Sequence, residues 1–388
     1  MNIAFFSDSY RPYFSGVVKS IDSFKEELEK KGHLVYIFAP DYPSVDKQDG
    51  VYRFASLPTP SKKDFRLAIP ISNKIKSIMK GLKIDIIHTH TPFLMGGLAR
   101  YTAHKLNIPL VFTYHTLYEE YVHYVPLIGN LARGVTIRYV KDFCRSCDLI
   151  IAPSGYVEKR IKNYQIDSPV LTISTGLDLD SYRNKKEKLL EEINNNFHLN
   201  KFALKLIFVG RLGEEKNVSF LLRVFNLLVC KHRLKACLII IGSGPDRDKL
   251  EKYCQEKGLS AQVIFTGKES PERVTAFYQL SDIFVFPSRT ETQGLVTIEA
   301  MASGLPVVAV NAAGTKYMVD NMLNGILVDE EEEEFVEAIF NLSTDSFLYK
   351  TMRENAIKKS NSFSIEKMTT ALITGYQSLF ENKQVKTS

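Results

Sequence analysis

Residues 288–308 read SRTETQGLVTIEAMASGLPVV and follow the apolar run DIFVFP. That run has the length and the aromatic, β-branched content of a buried strand. RTET is a polar turn, and GLVTIEAMAS is a helical stretch that ends at Gly304 before the next apolar run, PVVAV. Strand, loop, helix and strand in this order form one unit of a parallel sheet. Such a unit sets a helix N-terminus at the carboxyl end of a strand, where the backbone N–H groups of Gly294, Leu295 and Val296 are available to an anion. Glu291, in the loop, faces the same edge. Glu299, about a turn and a half along the helix, reaches past the anion toward neutral hydroxyls such as those of a ribose. Two carboxylates bracketing an anion suit a ligand with sugars on both sides of a phosphate group. Spacing alone also allows Glu299 to be an ordinary solvated helical glutamate.

The same grammar extends in both directions. IAFFS, LVYIFA, VYRFAS, IDIIHTH, LVFTYH, DLIIAPS and VLTIS read as strands of a first sheet, and LKLIFVG, ACLIIIG, VIFTG, DIFVFPS, LPVVAV and GILVD as strands of a second. Amphipathic helical segments separate them, so two doubly wound α/β units are expected, with ligands at the carboxyl ends of the strands and a cleft between the units. The polar stretch SYRNKKEKLLEEINNNFHLNK, residues 181–201, reads as the connection between them. The acidic run at residues 330–334 reads as a charged first helical turn.

In FVGRLGEEKN, residues 208–217, a strand runs into Arg211 and Lys216 just before the helix NVSFLLRVFNLLV. An arginine fork and a lysine point charge at one strand end form a diphosphate clamp. The triplets Asp178-Leu179-Asp180 and Asp246-Arg247-Asp248 have the D-x-D form of two carboxylates that can hold a divalent cation. The first enters the interdomain stretch and the second opens a helix after the turn GSGP, so no metal is expected.

The 388 residues are 45% hydrophobic and 24% charged, the balance of a globular protein too long for one ordinary core. Five cysteines, an odd number lying in helix and strand segments, argue against a disulfide framework and for a reducing compartment, and Cys144 and Cys147 read as structural. MNIAFFSDSY carries no basic leader and no window approaches a membrane span, so a protein neither exported nor membrane-spanning is expected. Of the net charge of +6, residues 1–180 hold most, with 23 Lys/Arg against 18 Asp/Glu. Within residues 62–105 nine basic residues (Lys62, Lys63, Arg66, Lys74, Lys76, Lys80, Lys83, Arg100 and Lys105) face two acids, Asp64 and Asp85. A second segment carries Arg133, Arg138, Lys141 and Arg145 with Leu127, Ile128, Leu131, Ile137 and Val140, below Tyr118, Tyr121 and Tyr124. Such segments suit an anionic bilayer surface and a bound lipid; a solvated helix packed on its own sheet has the same pattern.

FSGV near the N-terminus, TYHT, VGRLGEEKN and ETQGLVTIE followed by AMASGLPVV stand in the order found in the retaining glycosyltransferases of family four, which this chain resembles over nearly its whole length. The resemblance implies a GT-B fold of two facing Rossmann-like domains with parallel sheets, residues 1–176 joined by a returning helix at 363–388, and residues 177–362. It implies that Arg211 and Lys216 bind the donor diphosphate. Glu291 and the backbone at Gly294 to Val296 would hold the donor sugar and phosphates, and Glu299 the ribose. His115 would approach the transferred sugar from the N-terminal domain, and Gly16 would let backbone close on the phosphates. His115 and Glu291 are the candidate catalytic residues, Glu291 suiting sugar-hydroxyl binding better than attack on the sugar. Retention of configuration is implied, the departing phosphate itself taking the acceptor's proton.

Within the family, TYHTLYEEYVHYVP and SRTETQGLV resemble most the bacterial enzymes that glucosylate diacylglycerol. That implies a nucleotide-sugar donor, UDP-glucose, a diacylglycerol acceptor and a peripheral position on the cytoplasmic face of the cell membrane. GDP-mannose as donor, or a phospholipid or soluble sugar as acceptor, stays open. Two departures from the family pattern are Ser15-Gly16 in place of a double glycine and Gln293 in place of phenylalanine. A dinucleotide-dependent oxidoreductase lacks its full G-x-G-x-x-G with a following acidic residue, a non-catalytic nucleotide-binding module leaves the combined polar set without a purpose, and no base-stacking platform supports a nucleic-acid partner.

Overall fold

The structure is a computed structural model that describes residues 1–43, 45–59, 65–118, 129–312 and 314–387, with side-chain environments described for all of these except 129–132 and 382–387. Lys62, Lys63, Asp64, Tyr121, Tyr124, Leu127 and Ile128, and the side chain of Leu131, lie outside that description. The chain forms two units, Met1–Gly176 with Ile365–Ser388, and Leu177–Ser364.

The first unit runs β1 (Asn2–Phe6), α1 (Gly16–Lys30), β2 (Leu34–Pro40), β3 (Val51–Phe54), β4 (Ser56–Pro58), β5 (Arg66–Ala68), α2 (Ile75–Gly81), β6 (Ile86–Thr89), α3 (Leu94–Leu106), β7 (Leu110–Thr113), α4 (Gly129–Arg145), β8 (Leu149–Ala152), α5 (Gly155–Lys162) and β9 (Val170–Thr172). Seven strands make one parallel sheet in the order β3-β2-β1-β6-β7-β8-β9. Strands such as IIHT and LVFT are buried along their whole length, which is why they read as unbroken apolar runs. The order reverses between β1 and β6, so the loops after these two strands diverge and open a crevice at their carboxyl ends. The short antiparallel ribbon β4-β5 stands apart, held by the Arg66 guanidinium donating to the Ser56 carbonyl at 2.7 Å. Nothing in the sequence pattern announces it.

The second unit runs α6 (Leu179–Arg183), α7 (Glu187–Asn196), β10 (Leu204–Val209), α8 (Val218–His232), β11 (Ala236–Ile241), α9 (Arg247–Glu256), β12 (Val263–Gly267), α10 (Pro271–Leu280), β13 (Ile283–Phe286), α11 (Leu295–Ala302), β14 (Val307–Val310), β15 (Gly325–Val328), α12 (Glu332–Thr344) and α13 (Ser346–Ser360). Its six parallel strands take the order β12-β11-β10-β13-β14-β15 and reverse between β10 and β13. The acidic run contributes Glu332, Glu333 and Glu334 to the first turn of α12, while Glu330 precedes the helix and pairs with Arg289.

Residues 181–201 differ from the reading as a connection. They fold as α6, α7 and a short turn of the second unit, with Leu190, Ile193 and Leu199 buried in its core. The few apolar residues sit at helical spacing and bury one stripe, while the Lys, Glu and Asn residues that suggested a linker occupy the solvent face.

The last helix, α14 (Ile365–Thr387), returns to the first unit. Its Ile365, Leu372, Tyr376 and Leu379 pack with Val18, Ile21 and Phe24 of α1 over one face of the sheet. All five cysteines are free thiols, Cys144 and Cys147 among the buried ones. No described helix is long and apolar enough to cross a membrane.

Candidate active site

In the second unit the switch between β10 and β13 gathers most of the polar residues singled out above. Val209 ends β10; Gly210 and Arg211 follow, and Lys216 lies in the short turn that leads into α8. Phe286 ends β13, and the loop behind it carries Ser288, Arg289 and Glu291. Neighbouring parallel strands therefore deliver the Lys216 ammonium and the Glu291 carboxylate to one point, where they form an ion pair with both side chains mostly buried. Ser288 donates its hydroxyl to the same carboxylate at 3.1 Å, and Lys216 lies 5.8 Å above the Phe286 ring. The Arg289 amide donates to the Glu215 carbonyl at 3.3 Å and ties the two loops together. Arg211 is more exposed, with Glu215 at 3.9 Å.

The α11 N-terminus adjoins this pair along the chain. Gly294 caps the helix at a φ of +74°, a left-handed value that favours glycine, and it offers no side-chain acceptor to the N–H groups of Leu295 and Val296. The Glu291 loop is pinned by Gly314, whose amide donates to the Glu291 carbonyl at 3.1 Å. A β-carbon on Gly314 would stand 2.3 Å from that oxygen, so only glycine permits the approach. Glu299 is only 5% exposed, not solvated, and Tyr278 donates its phenol to Glu299 Oε2 at 3.3 Å. Burial first, and the Glu299 charge second, hold the Tyr278 phenol well above its ordinary value, so it stays a donor. Tyr278 and Ser288 were not anticipated; each becomes legible only when α10 and the β13 loop are in place.

The D-x-D triplets take ordinary helix-opening positions, Asp178 before α6 and Asp246 before α9. Among the described residues, no three His, Cys, Asp or Glu side chains group as metal ligands. Gln293, the second departure, is buried beside the Gly294 cap.

The switch of the first unit holds a histidine cluster. His88 lies on β6, His90 just after it, and His115 two residues beyond β7. His90 Nδ1 is 2.9 Å from His115 Nε2, and the His88 and His90 rings stack at 4.5 Å. His88 is held on both sides, by Tyr376 of α14 at 2.6 Å and by Thr113 at 2.7 Å. Burial pushes the His88 and His115 imidazoles down to about 3 and His90 well below its ordinary value, so all three are neutral at physiological pH. Sequence reasoning singled out His115 and passed over His88 and His90. Their signal is the i, i+2 spacing in IIHTH, which puts both rings on one face of a strand. Asp8, after β1, accepts the Met95 amide at 2.7 Å and so caps α3 from another element; burial raises its carboxyl above the usual range.

Gly16 is exposed at the first position of α1, and a β-carbon there would meet nothing within 4 Å. Ser15, where much of the family has glycine, accepts the Val18 amide at 3.3 Å as the helix N-cap, which accounts for that departure.

Comparison with known proteins agrees with this architecture. The family model described as "Glycosyltransferase Family 4" matches residues 14–181, and that described as "Glycosyl transferases group 1" matches residues 191–359. The chain is 34% identical to the alpha-monoglucosyldiacylglycerol synthase of Streptococcus pneumoniae, over 86% of this chain and 76% of that protein. It is 29% identical to the protein of the same name from Acholeplasma laidlawii, over 100% of this chain and 99% of that one. The crystal structure of Anabaena HepE in complex with UDP superposes with a TM-score of 0.78 at 20% identity, over 97% of this chain and 100% of that chain. Two parallel Rossmann-like sheets of this kind are the GT-B fold, and with both family models matched in sequence the chain belongs to glycosyltransferase family 4 and is a glycosyltransferase.

Proposed function

We propose that this enzyme transfers glucose from UDP-glucose to diacylglycerol, with retention of configuration, on the anionic cytoplasmic face of a membrane. The observation that carries the reading is the meeting of Lys216 and Glu291 at the switch point of the second sheet, next along the chain to the bare N-terminus of α11. Lys216, Arg211 and the amides of Gly294, Leu295 and Val296 meet the charge that grows on the leaving diphosphate. Glu291, already oriented by Ser288, takes hydroxyls of the donor sugar, and Glu299, held by Tyr278, takes those of the ribose.

The bond from the sugar C1 to the β-phosphate oxygen breaks, and a bond from C1 to the acceptor oxygen forms on the same face. The acceptor's hydroxyl proton passes to the departing phosphate, so no enzymic nucleophile is needed. His115 is neutral and serves as a hydrogen-bonding partner of the sugar, not as a charge. Protein cations and amides supply the charge stabilisation in this reading, without a metal ion. The glucose and diacylglycerol assignments draw on the two relatives whose names state that product.

The test is to incubate the protein with UDP-glucose, GDP-mannose and other nucleotide sugars over vesicles of phosphatidylglycerol and diacylglycerol, then identify the glycolipid by mass and its anomer by NMR. An α-glucosyl diacylglycerol formed from UDP-glucose is expected. Transfer only from another donor, or only to a soluble sugar, overturns the assignment while leaving the family membership standing.

A further inference from the structure

An open groove of about 630 Å³ lies in the first unit between the segment entering α2 and the start of α3. Its walls include Ile71, Phe93, Leu94, Tyr101 and Tyr139. Several of these large side chains stand in solvent: Ile71 is 78% exposed, Tyr101 49% and Phe93 40%. Gly97 widens the groove, since a β-carbon there would meet nothing within 4 Å. Clustered exposed apolar residues of this size mark a binding surface, and the volume falls within the range of about 300–1,000 Å³ typical of ligand pockets.

Two further observations say what the occupant is. Residues 70–75 supply one wall, and the stretch around them carries Arg66, Lys74, Lys76, Lys80 and Lys83 between the acids Asp64 and Asp85, a basic balance that complements an anionic lipid surface. Lys76 folds its ammonium 5.5 Å above the Tyr101 ring, so the charge stands directly at the apolar wall. The groove also begins close along the chain to His90. Phe93 is three residues beyond His90, a span of at most about 11 Å of chain, and Tyr139 donates to the intervening Pro92 carbonyl at 2.8 Å.

We infer that this groove takes one acyl chain of the diacylglycerol acceptor and thereby holds the lipid's free hydroxyl on the His90–His115 side of the sheet edge. The inference rests on the lipid-acceptor reading above. Apolar walls bind the chain, the basic residues keep the groove mouth at the headgroup level, and the acceptor hydroxyl stays at the end next along the chain to His90.

The test uses the full chain on phosphatidylglycerol vesicles containing diacylglycerol with a diazirine in mid-chain. After illumination the adducts are mapped by mass; a parallel sample carries the diazirine in the phosphatidylglycerol instead. Adducts from diacylglycerol concentrated in residues 69–75 and 93–101, and at least tenfold fewer in Ile71→Glu/Tyr101→Ser, are expected. Both substituted side chains are exposed, and an unchanged thermal midpoint verifies the fold of the variant. Adducts elsewhere, equal labelling of these segments from phosphatidylglycerol, or cross-links joining two protein copies there overturn the inference. Photolabelling does not depend on turnover. If the wild-type protein is labelled in the groove yet glucosylates no diacylglycerol, it is the transfer reading that fails.

Discussion

His90 Nδ1 stands 2.9 Å from His115 Nε2, and the other ring nitrogen of His90 is buried without a partner. A buried bare lone pair is tolerated better than a buried unpaired N–H. His90 therefore donates from Nδ1, which leaves the proton of His115 on its own Nδ1. This makes His90 a positioning residue for His115. His90→Ala is expected to lower kcat/KM for transfer by about tenfold to a hundredfold through loss of orientation. His90→Asn, whose amide can donate from nearly the same place, recovers part of it. Steady-state kinetics together with the nitrogen NMR shifts of His115 check both the rate and the tautomer.

The His88 imidazole sits at about 3 in the fold against an ordinary 6.5. Between these values the unfolded chain binds a proton that the folded chain refuses, so stability rises with pH across that window and is lost as pH falls from 6.5 toward 3. At pH 5 the share of His88 is about 2 kcal/mol. Urea titrations at pH 5 and pH 7 are expected to differ by less in His88→Gln than in the wild-type protein. An identical pH dependence in the variant counts against a neutral, buried His88.

Lys216 is both the partner of Glu291 and the cation assigned to the donor diphosphate. Its replacement by alanine removes stabilisation that grows in the transition state, with an expected loss of about 10²- to 10³-fold in kcat. Turnover is to be measured at saturating donor. A variant that keeps most of its turnover there overturns the clamp.

Gly16 and Gly314 test the donor-binding reading and the fold separately. Space beside Gly16 is open, so Gly16→Val is expected to change stability by no more than about 0.5 kcal/mol while raising the KM for donor. Gly314→Ala drives a methyl into the Glu291 carbonyl and is expected to destabilise the fold by about 1–3 kcal/mol. Donor kinetics and thermal unfolding of both variants give the comparison.

Lys74, Lys76 and Lys80 are exposed on and beside α2. At about 1 kcal/mol per lysine near an anionic surface, replacing all three by glutamine is expected to weaken sedimentation with phosphatidylglycerol vesicles by about a hundredfold. Equal sedimentation of the wild-type protein with neutral and anionic vesicles removes the electrostatic contribution.

The amino-acid sequence by itself located the strands of the two parallel sheets, because central strands such as β11 and β13 are buried on both faces and read as unbroken apolar runs, while the half-exposed edge strands β3 and β9 still carry the β-branched and aromatic residues that favour a strand. It also placed Glu291, Gly294 and Glu299 on a strand-loop-helix unit, a relation within one stretch of chain. What only tertiary structure decided are relations between distant stretches. Residues 181–201 looked like a linker because their polar majority hides an apolar stripe that has meaning only against α10 and the second core. Lys216 and Glu291 meet because β10 and β13, far apart in sequence, are neighbours at the point where strand order reverses. The His90–His115 contact comes from the pairing of β6 with β7, and the Tyr376–His88 bond from the return of α14 to the first unit. A residue's own pattern reports the face it turns to the core, whereas the identity of the group across from it is fixed by chain crossings that leave no local trace.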